Sequence, residues 1–371
     1  MIVVATSGHK PDDERVYHRE IKSLLNAGYK ILYFTRWDGD MDLSTEHLRH
    51  INVSRSGTPI KDYIRIIQDK ISATGPKDIL HIHEFDLLPL AKQMKKKHGI
   101  KVIYDVHDTL RAMWATFSSK KGLLKKVINK SLSFFETSHL MYIDEIILAN
   151  RVFGQNYYAD KGLSTTVIEN FPHIDNLAKA KQFSNTPLIL YQGQISADRG
   201  ITLLVDAFDI IKKENPGVTL RIIGAFRPKG FKEKLIDKIK QSDFSEAIEL
   251  QSEVHHNEIW AHMQAAQIGV IPSLETPRIL VDTPTKLFEY MASGCAVVAA
   301  DVPPVRHFLY GAGKLINPNN MESLASGIIS LLSNEVTCSH YVKEGQKRIL
   351  ETYNWNAIKH KLLSVYEKVI V

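Results

Sequence analysis

Short runs rich in aliphatic and β-branched residues alternate with helix-patterned segments from one end of the chain to the other. Such a succession packs as parallel sheets covered by helices, because a parallel connection has to cross over the sheet before the next strand can pair. In the first half the candidate strands are residues 2–6 (IVVAT), 30–34 (KILYF), 79–82 (ILHI), 101–105 (KVIYD), 145–149 (EIILA) and 165–169 (TTVIE). Between them, segments such as RVYHREIKSLLNAG, which ends at Gly28, have helical spacing and a glycine stop. The stretch NFPHIDNLAKAKQFSNTP, with Pro172, Asn185 and Pro187, interrupts the pattern and reads as a linker. A second series follows at 188–193 (LILYQG), 218–224 (VTLRIIG), 247–250 (AIEL), 268–273 (IGVIPS), 296–301 (AVVAAD) and 314–318 (KLINP). At 371 residues the chain is too long for one ordinary core. We therefore expect an α/β protein of two Rossmann-like, doubly wound parallel-sheet domains, at 1–172 and 188–354, joined by a linker at 173–187. A closing amphipathic helix at 355–371 has no following strand, and we expect it to pack back at the domain junction against the N-terminal domain. Open sheets of this kind bind ligands at the carboxyl ends of their strands, so the cleft between the domains is the default site.

With 44% hydrophobic and 24% charged residues the chain has a globular composition, and its apolar runs fall short of the roughly 20 residues that span a bilayer. The N-terminal apolar run is too short, and too poor in preceding basic residues, for a signal peptide, which predicts a cytoplasmic protein. Cys295 and Cys338 have no metal-type spacing and read as free thiols without chemistry. The net charge of +6 permits nucleic acid, anionic lipid or phosphorylated small molecules as partners. Within 113–135, lysines 120, 121, 125, 126 and 130 interleave with Trp114, Phe117, Leu123, Leu124, Val127 and Phe134. That pattern suits an interfacial helix on an anionic membrane and, equally, an ordinary amphipathic surface helix.

The stretch VDTPTKLFEYMASGCAVV, residues 281–298, carries the most chemistry. Asp282 or Thr283 can cap a helix with Pro284 in its first turn, which leaves the amides of Thr285, Lys286 and Leu287 open to an anion. Lys286 adds a full charge, and Glu289, one turn on, can accept two hydrogen bonds from a vicinal diol. Diphosphate followed by ribose presents that anion and that diol. The alternative is a plain i,i+3 surface pair worth about 0.2–0.5 kcal/mol. A second constellation, YQGQISADRG, sets Gly193 after a strand and Arg199 beside Gly200. A glycine there lets backbone approach a phosphate, and Arg199 can hold it bidentately; on its own the loop is also a normal strand-to-helix turn.

The order of YQGQISADRG, RIIGAF, SEVHHNEIW, PTKLFEYMASGCAVVAAD and GAGKLINP resembles the retaining glycosyltransferases of family 4, which have the GT-B fold. The N-terminal half, through GHKPDDERVYHREIKSLLNAGYKILYF, HIHEFDLLPLA, IYDVHD and VIENFP, is similar to that family's acceptor-side domain. The resemblance implies that Glu289 binds the donor ribose and that Lys286, with the amides of Thr285 to Leu287, holds the diphosphate. It implies that Arg199 neutralises the same leaving group, and that Gly193, Gln194, Gly224 and Asp282 complete the donor side. His107 is then the histidine facing the donor sugar, Gly8 allows close approach of acceptor or sugar, and Asp13 and Arg15 lie on the acceptor side. His107, Arg199 and Lys286 become the catalytic set. Two positions depart from the family pattern: Val281 stands where a first glutamate is usual, with Asp282 beside it, and Gln194 stands where many members carry an arginine.

The expected reaction is therefore transfer of a sugar, with retention, from a UDP- or GDP-sugar to a saccharide acceptor, lipid-linked if the basic segment meets a membrane. It needs no metal and no cofactor. A GT-B sugar-nucleotide epimerase and a non-catalytic nucleic-acid binder are the competing readings; the first lacks an identifiable acid-base pair, and the second lacks a basic recognition motif. Asp38, Asp40 and Asp42 imitate an Asp-x-Asp metal site but fall after an early strand, far from the diphosphate motif. His81 and His83 are expected to face opposite sides of a strand and so not to form a ligand pair.

Overall fold

The computed structural model describes residues 1–73, 78–107, 122–151, 156–173, 175, 177–178, 184, 186–227 and 230–370. The chain forms two compact units, one of Met1–Asn170 with Ile358–Val371 and one of Phe171–Ala357. Of the expected linker, residues 174, 176, 179–183 and 185 lie outside the described residues, as do residues 113–121 of the basic segment.

The first unit is built on seven strands: β1 (Ile2–Ala5), β2 (Ile31–Arg36), β3 (Leu48–Val53), β4 (Ile79–Ile82), β5 (Lys101–Val106), β6 (Glu145–Leu148) and β7 (Thr165–Val167). They lie in the order β3-β2-β1-β4-β5-β6-β7, with every pairing parallel. β1, β4 and β6 are buried along their whole length, as strands covered on both faces must be. The edge strand β3, LRHINV, went unread in the sequence, because His50 and Asn52 break up its apolar run. Both polar side chains bond to Thr35 on β2, at 2.8 Å each, so the polar residues serve the pairing itself. Strand order reverses between β1 and β4, which opens the carboxyl ends of β1, β4 and β5 to one shared site. The closing helix, Trp355–Ile370, belongs to this unit from Ile358 onward; its Tyr366 hydroxyl lies 2.6 Å from His81 Nδ1, and Lys368 donates to buried Glu145 at 2.7 Å.

The second unit carries β8 (Leu188–Gln192), β9 (Thr219–Ile223), β10 (Ile248–Gln251), β11 (Ile268–Ile271), β12 (Ala296–Ala300) and β13 (Lys314–Ile316), in the order β10-β9-β8-β11-β12-β13. All are parallel, and order reverses between β8 and β11. There the ladder is short, pairing Ile268 with Ile189 and Gly269 with Leu190. Tyr290, from the helix Lys286–Ala292, occupies the gap: its hydroxyl accepts from Gln192 N at 2.9 Å and donates to Leu190 O at 3.1 Å. A Cβ on Gly269 would stand 2.4 Å from the Tyr290 ring, so the glycine is what lets the ring lie over β11. Tyr290→Phe strips a partner from two buried backbone groups, and equilibrium denaturation should register a loss of about 1–3 kcal/mol. An unchanged denaturation midpoint would show that the hydroxyl closes nothing.

Candidate active site

The helix Lys286–Ala292 starts later than the sequence suggests, with Thr285 as the residue before it. Asp282 is drawn off to Arg199, whose Nη2 lies 3.2 Å from Asp282 Oδ2, instead of capping the helix. The amide of Leu287 already donates to Pro284 O at 3.0 Å. Of the three amides expected to be open, only those of Thr285 and Lys286 meet no acceptor among the described residues. Leu287, Phe288 and Met291 are buried, as their apolar character requires. Phe288 sits in an aromatic cluster, its ring 5.0 Å from Phe308 and 4.7 Å from Phe171.

Lys286 is almost wholly buried, its ammonium nitrogen 4.0 Å from the centre of the Tyr191 ring. Burial, reinforced by the charge of nearby Arg199, holds this lysine well below the ordinary lysine range. Gly193, at φ +109°, makes the room: a Cβ there would stand 2.8 Å from Lys286 Nζ. Its role is thus to admit Lys286. Gly224 packs against it, where a Cβ would come 1.8 Å from Gly193 O, and Gly200, at φ +72°, passes Pro272 O as closely. Arg199 is buried just ahead of Gly200. Glu289 projects from the same helix face as Lys286, and its Oε2 accepts from Gln192 Nε2 at 2.6 Å. Gln194 turns its amide toward Ser196 Oγ, 3.4 Å away. Val281 is exposed. Arg278, passed over in the sequence, is buried with Nη1 4.0 Å from Asp198 Oδ2, placing a second guanidinium next to the Arg199 loop. Lys286, Arg199, Glu289, Gly193, Gly224 and Asp282 are therefore gathered at the carboxyl end of β8, around the strand-order reversal.

In the N-terminal unit the sequence expectations fare differently. Asp13 caps the π-helical turn Glu14–Ile21, its Oδ1 accepting from Arg15 N at 2.9 Å and Val16 N at 3.0 Å. Arg15, expected to reach an acceptor, is instead a buried brace: it donates to both oxygens of Asp105, to Ile168 O and to Asn170 Oδ1, which leaves its guanidinium committed inside the unit. Gly8 spends its amide on Glu84 Oε1 at 2.9 Å. His107 follows β5 directly and is partly exposed, with Nε2 3.2 Å from His83 Nδ1. Burial outweighs Asp105 and pushes His107 down to about 4, so it is neutral at physiological pH.

The opposed-face expectation for His81 and His83 is wrong. Residues two apart on a strand share a face, and the two rings stand 4.4 Å apart, buried. With Glu20 and Asp105 they bring four metal-type ligand atoms within 4.8 Å of one another. Arg15 supplies positive charge to this group, its Nε 3.1 Å from Glu20 Oε1 and 2.9 Å from Asp105 Oδ2. Burial, followed by the neighbouring Asp105 charge, raises Glu20 well above the usual carboxylate range, which reads as a charge-balanced core. Of the decoy aspartates, Asp38 accepts from Ser54 and Ser56, and Asp42 from Ser44.

Residues 174–348 match the family model of glycosyl transferases group 1. The chain is a glycosyltransferase with the GT-B fold. It is 23% identical over 311 residues to the phosphatidyl-myo-inositol mannosyltransferase of Mycolicibacterium smegmatis, covering 80% of this chain and 72% of that one. Among solved structures, sucrose-phosphate synthase from Thermosynechococcus elongatus superposes with a TM-score of 0.79 at 17% identity, over 100% of this chain and 99% of that one. Anabaena HepE in complex with UDP-glucose does so at 0.76 and 15% identity, over 99% and 100% of the two chains.

The transferase's buried Glu20 gives a pH test. A carboxyl whose folded pKa is raised costs nothing while both folded and unfolded chains hold the proton. It destabilises the fold progressively as pH climbs past the ordinary glutamate value of about 4.3. Glu20→Gln, isosteric with the protonated acid, should melt above the wild type by a margin that widens from pH 5 to pH 8. A margin that stays constant across that range would show Glu20 ionised in the fold.

Proposed function

We propose that this glycosyltransferase moves a sugar from a nucleotide diphosphate donor to a saccharide hydroxyl, with retention and without a metal. The observation that carries the reading is the convergence of Arg199, buried Lys286 and two open amides beside a carboxylate, Glu289, held by Gln192. Two cations and a helix terminus suit a departing diphosphate, and a fixed carboxylate suits the ribose diol. The solved neighbour with UDP-glucose supports a uridine donor, with a guanosine donor as the other choice. In the step itself the bond from the anomeric carbon to the phosphate oxygen breaks, and the acceptor oxygen bonds to that carbon on the face being vacated. The acceptor's proton passes to the released diphosphate. The protein's part is placement and charge: Arg199 and Lys286 stabilise the leaving group, and His107 stays neutral beside the sugar. Glu289→Ala should abolish transfer and cut the thermal stabilisation given by UDP-glucose or GDP-mannose, in line with a roughly tenfold or greater loss of affinity. Full transfer in that variant would remove Glu289 from the site.

We further propose a lipid-linked acceptor met at an anionic membrane surface. No helix among the described residues is long and apolar enough to cross a membrane. The helix Gly122–Leu140, however, exposes Val127 at 53% and Phe134 at 75%, seven residues apart on one side, with exposed Met141 just beyond and Lys126 and Lys130 alongside. Apolar anchors ringed by lysines suit the headgroup region, and the mannosyltransferase relative is named for a phosphatidylinositol acceptor. Phe134→Ser with Lys126→Ser and Lys130→Ser should reduce sedimentation with phosphatidylserine vesicles at least several-fold. Equal sedimentation would leave this helix an ordinary surface element.

A further inference from the structure

The transfer reading makes no use of His9. The loops that follow β1, β4 and β5, neighbours in the sheet, bring His9, Glu84 and His107 together. Glu84 is pinned by four donors: Ser7 N at 2.8 Å, Gly8 N at 2.9 Å, Thr6 Oγ1 at 2.6 Å and His9 Nδ1 at 2.6 Å. With Nδ1 committed to the carboxylate, Nε2 is the nitrogen His9 has left, and no partner faces it among the described residues. The side chain is a quarter exposed, and its ring lies 4.4 Å from that of His107. Asp13, whose Oδ1 is taken by the helix cap, keeps Oδ2 without a partner among the described residues.

We propose that His9 and Asp13 are a donor and an acceptor for the hydroxyls of a neutral saccharide on the N-terminal unit, with Glu84 as the positioning residue that aims His9 Nε2–H. This rests on the transferase assignment for the presence of a sugar. Neutrality of the ligand follows from the charges around His9: Glu84, Asp13 and Asp105 are anionic, Arg15 and His9 itself are cationic, and His83 and His107 are held neutral by burial. Three carboxylates against two cations repel a uronate or phosphate and favour hydroxyls. Burial opposes the charged form of His9, but the hydrogen bond and charge of Glu84 outweigh it and raise the imidazole to about 9. His9 therefore carries its second N–H throughout the neutral range and loses it as pH rises through that value.

The test has two readouts on the full chain. Imidazole NMR should place the His9 midpoint near 9 in the wild type, and Glu84→Gln should move it toward the ordinary value of about 6.5. Transfer from whichever nucleotide sugar gives the largest thermal shift should fall along an alkaline limb that moves down with it. His9→Gln should lower kcat/KM for the acceptor at least tenfold while the thermal shift with donor stays as in the wild type. A wild-type midpoint near 6.5, a midpoint indifferent to Glu84→Gln, or unchanged transfer in His9→Gln each overturns the proposal. If no nucleotide sugar binds, the donor reading of the C-terminal unit fails separately. The titration, and the response of the His9 signals to added mono- and disaccharides, then decides this one.

Discussion

The hydroxyl of Tyr290 is the joint on which the geometry of the C-terminal unit's candidate site depends. Where β8 and β11 part company, backbone groups of Leu190 and Gln192 lose their sheet partners, and the tyrosine supplies both a donor and an acceptor in their place. That tie fixes the helix Lys286–Ala292 against the strand ends. Glu289 precedes the anchored tyrosine and Lys286 lies one turn before it, so both are set by a contact made in the core. The same strand end returns the favour through Gln192, whose side chain holds Glu289 while its amide meets Tyr290. Gly269, Gly193 and Gly224 make the arrangement sterically possible, each by lacking a side chain where a ring, an ammonium or a carbonyl passes.

The N-terminal unit solves a different problem, the burial of many ionisable groups close together. Arg15 and Asp105 neutralise one another at the centre, Glu20 and the histidines His81 and His83 avoid charge through burial, and Glu84 collects the donors of the β1 loop. Such a network is costly to leave half-satisfied, which ties the closing helix into it as well, through Tyr366 and His81. Of the two neighbouring histidines at the strand ends, His9 carries charge toward solvent while His107 remains neutral.

Much of this was legible in the sequence where one physical rule dominates. Strands covered on both faces are apolar almost throughout, so IVVA and AVVAA announced themselves, as did ILHI with its one buried histidine; LRHINV, at an edge, did not. The spacing of Lys286 and Glu289 placed them on one helix face. What periodicity cannot give is where a polar side chain goes once neighbours compete for it. Asp282 reads as a cap and is taken by Arg199, and Arg15 reads as an acceptor-side group and is taken by Asp105. The shared face of His81 and His83 follows from the strand period itself and was available to a correct count. Glu20 and Glu84 carry no local signal, because their partners come from strands and loops far along the chain.

Lys286 has a thermodynamic consequence beyond its position. A lysine kept below its ordinary range by burial, with a guanidinium nearby, sits in the free protein with its proton loosely held. An anion beside it would offset the cost of burial and favour the ammonium. If the proposed diphosphate binds at this helix, its capture would draw the lysine toward the ammonium, and the affinity for an anionic ligand would weaken as the medium becomes more alkaline.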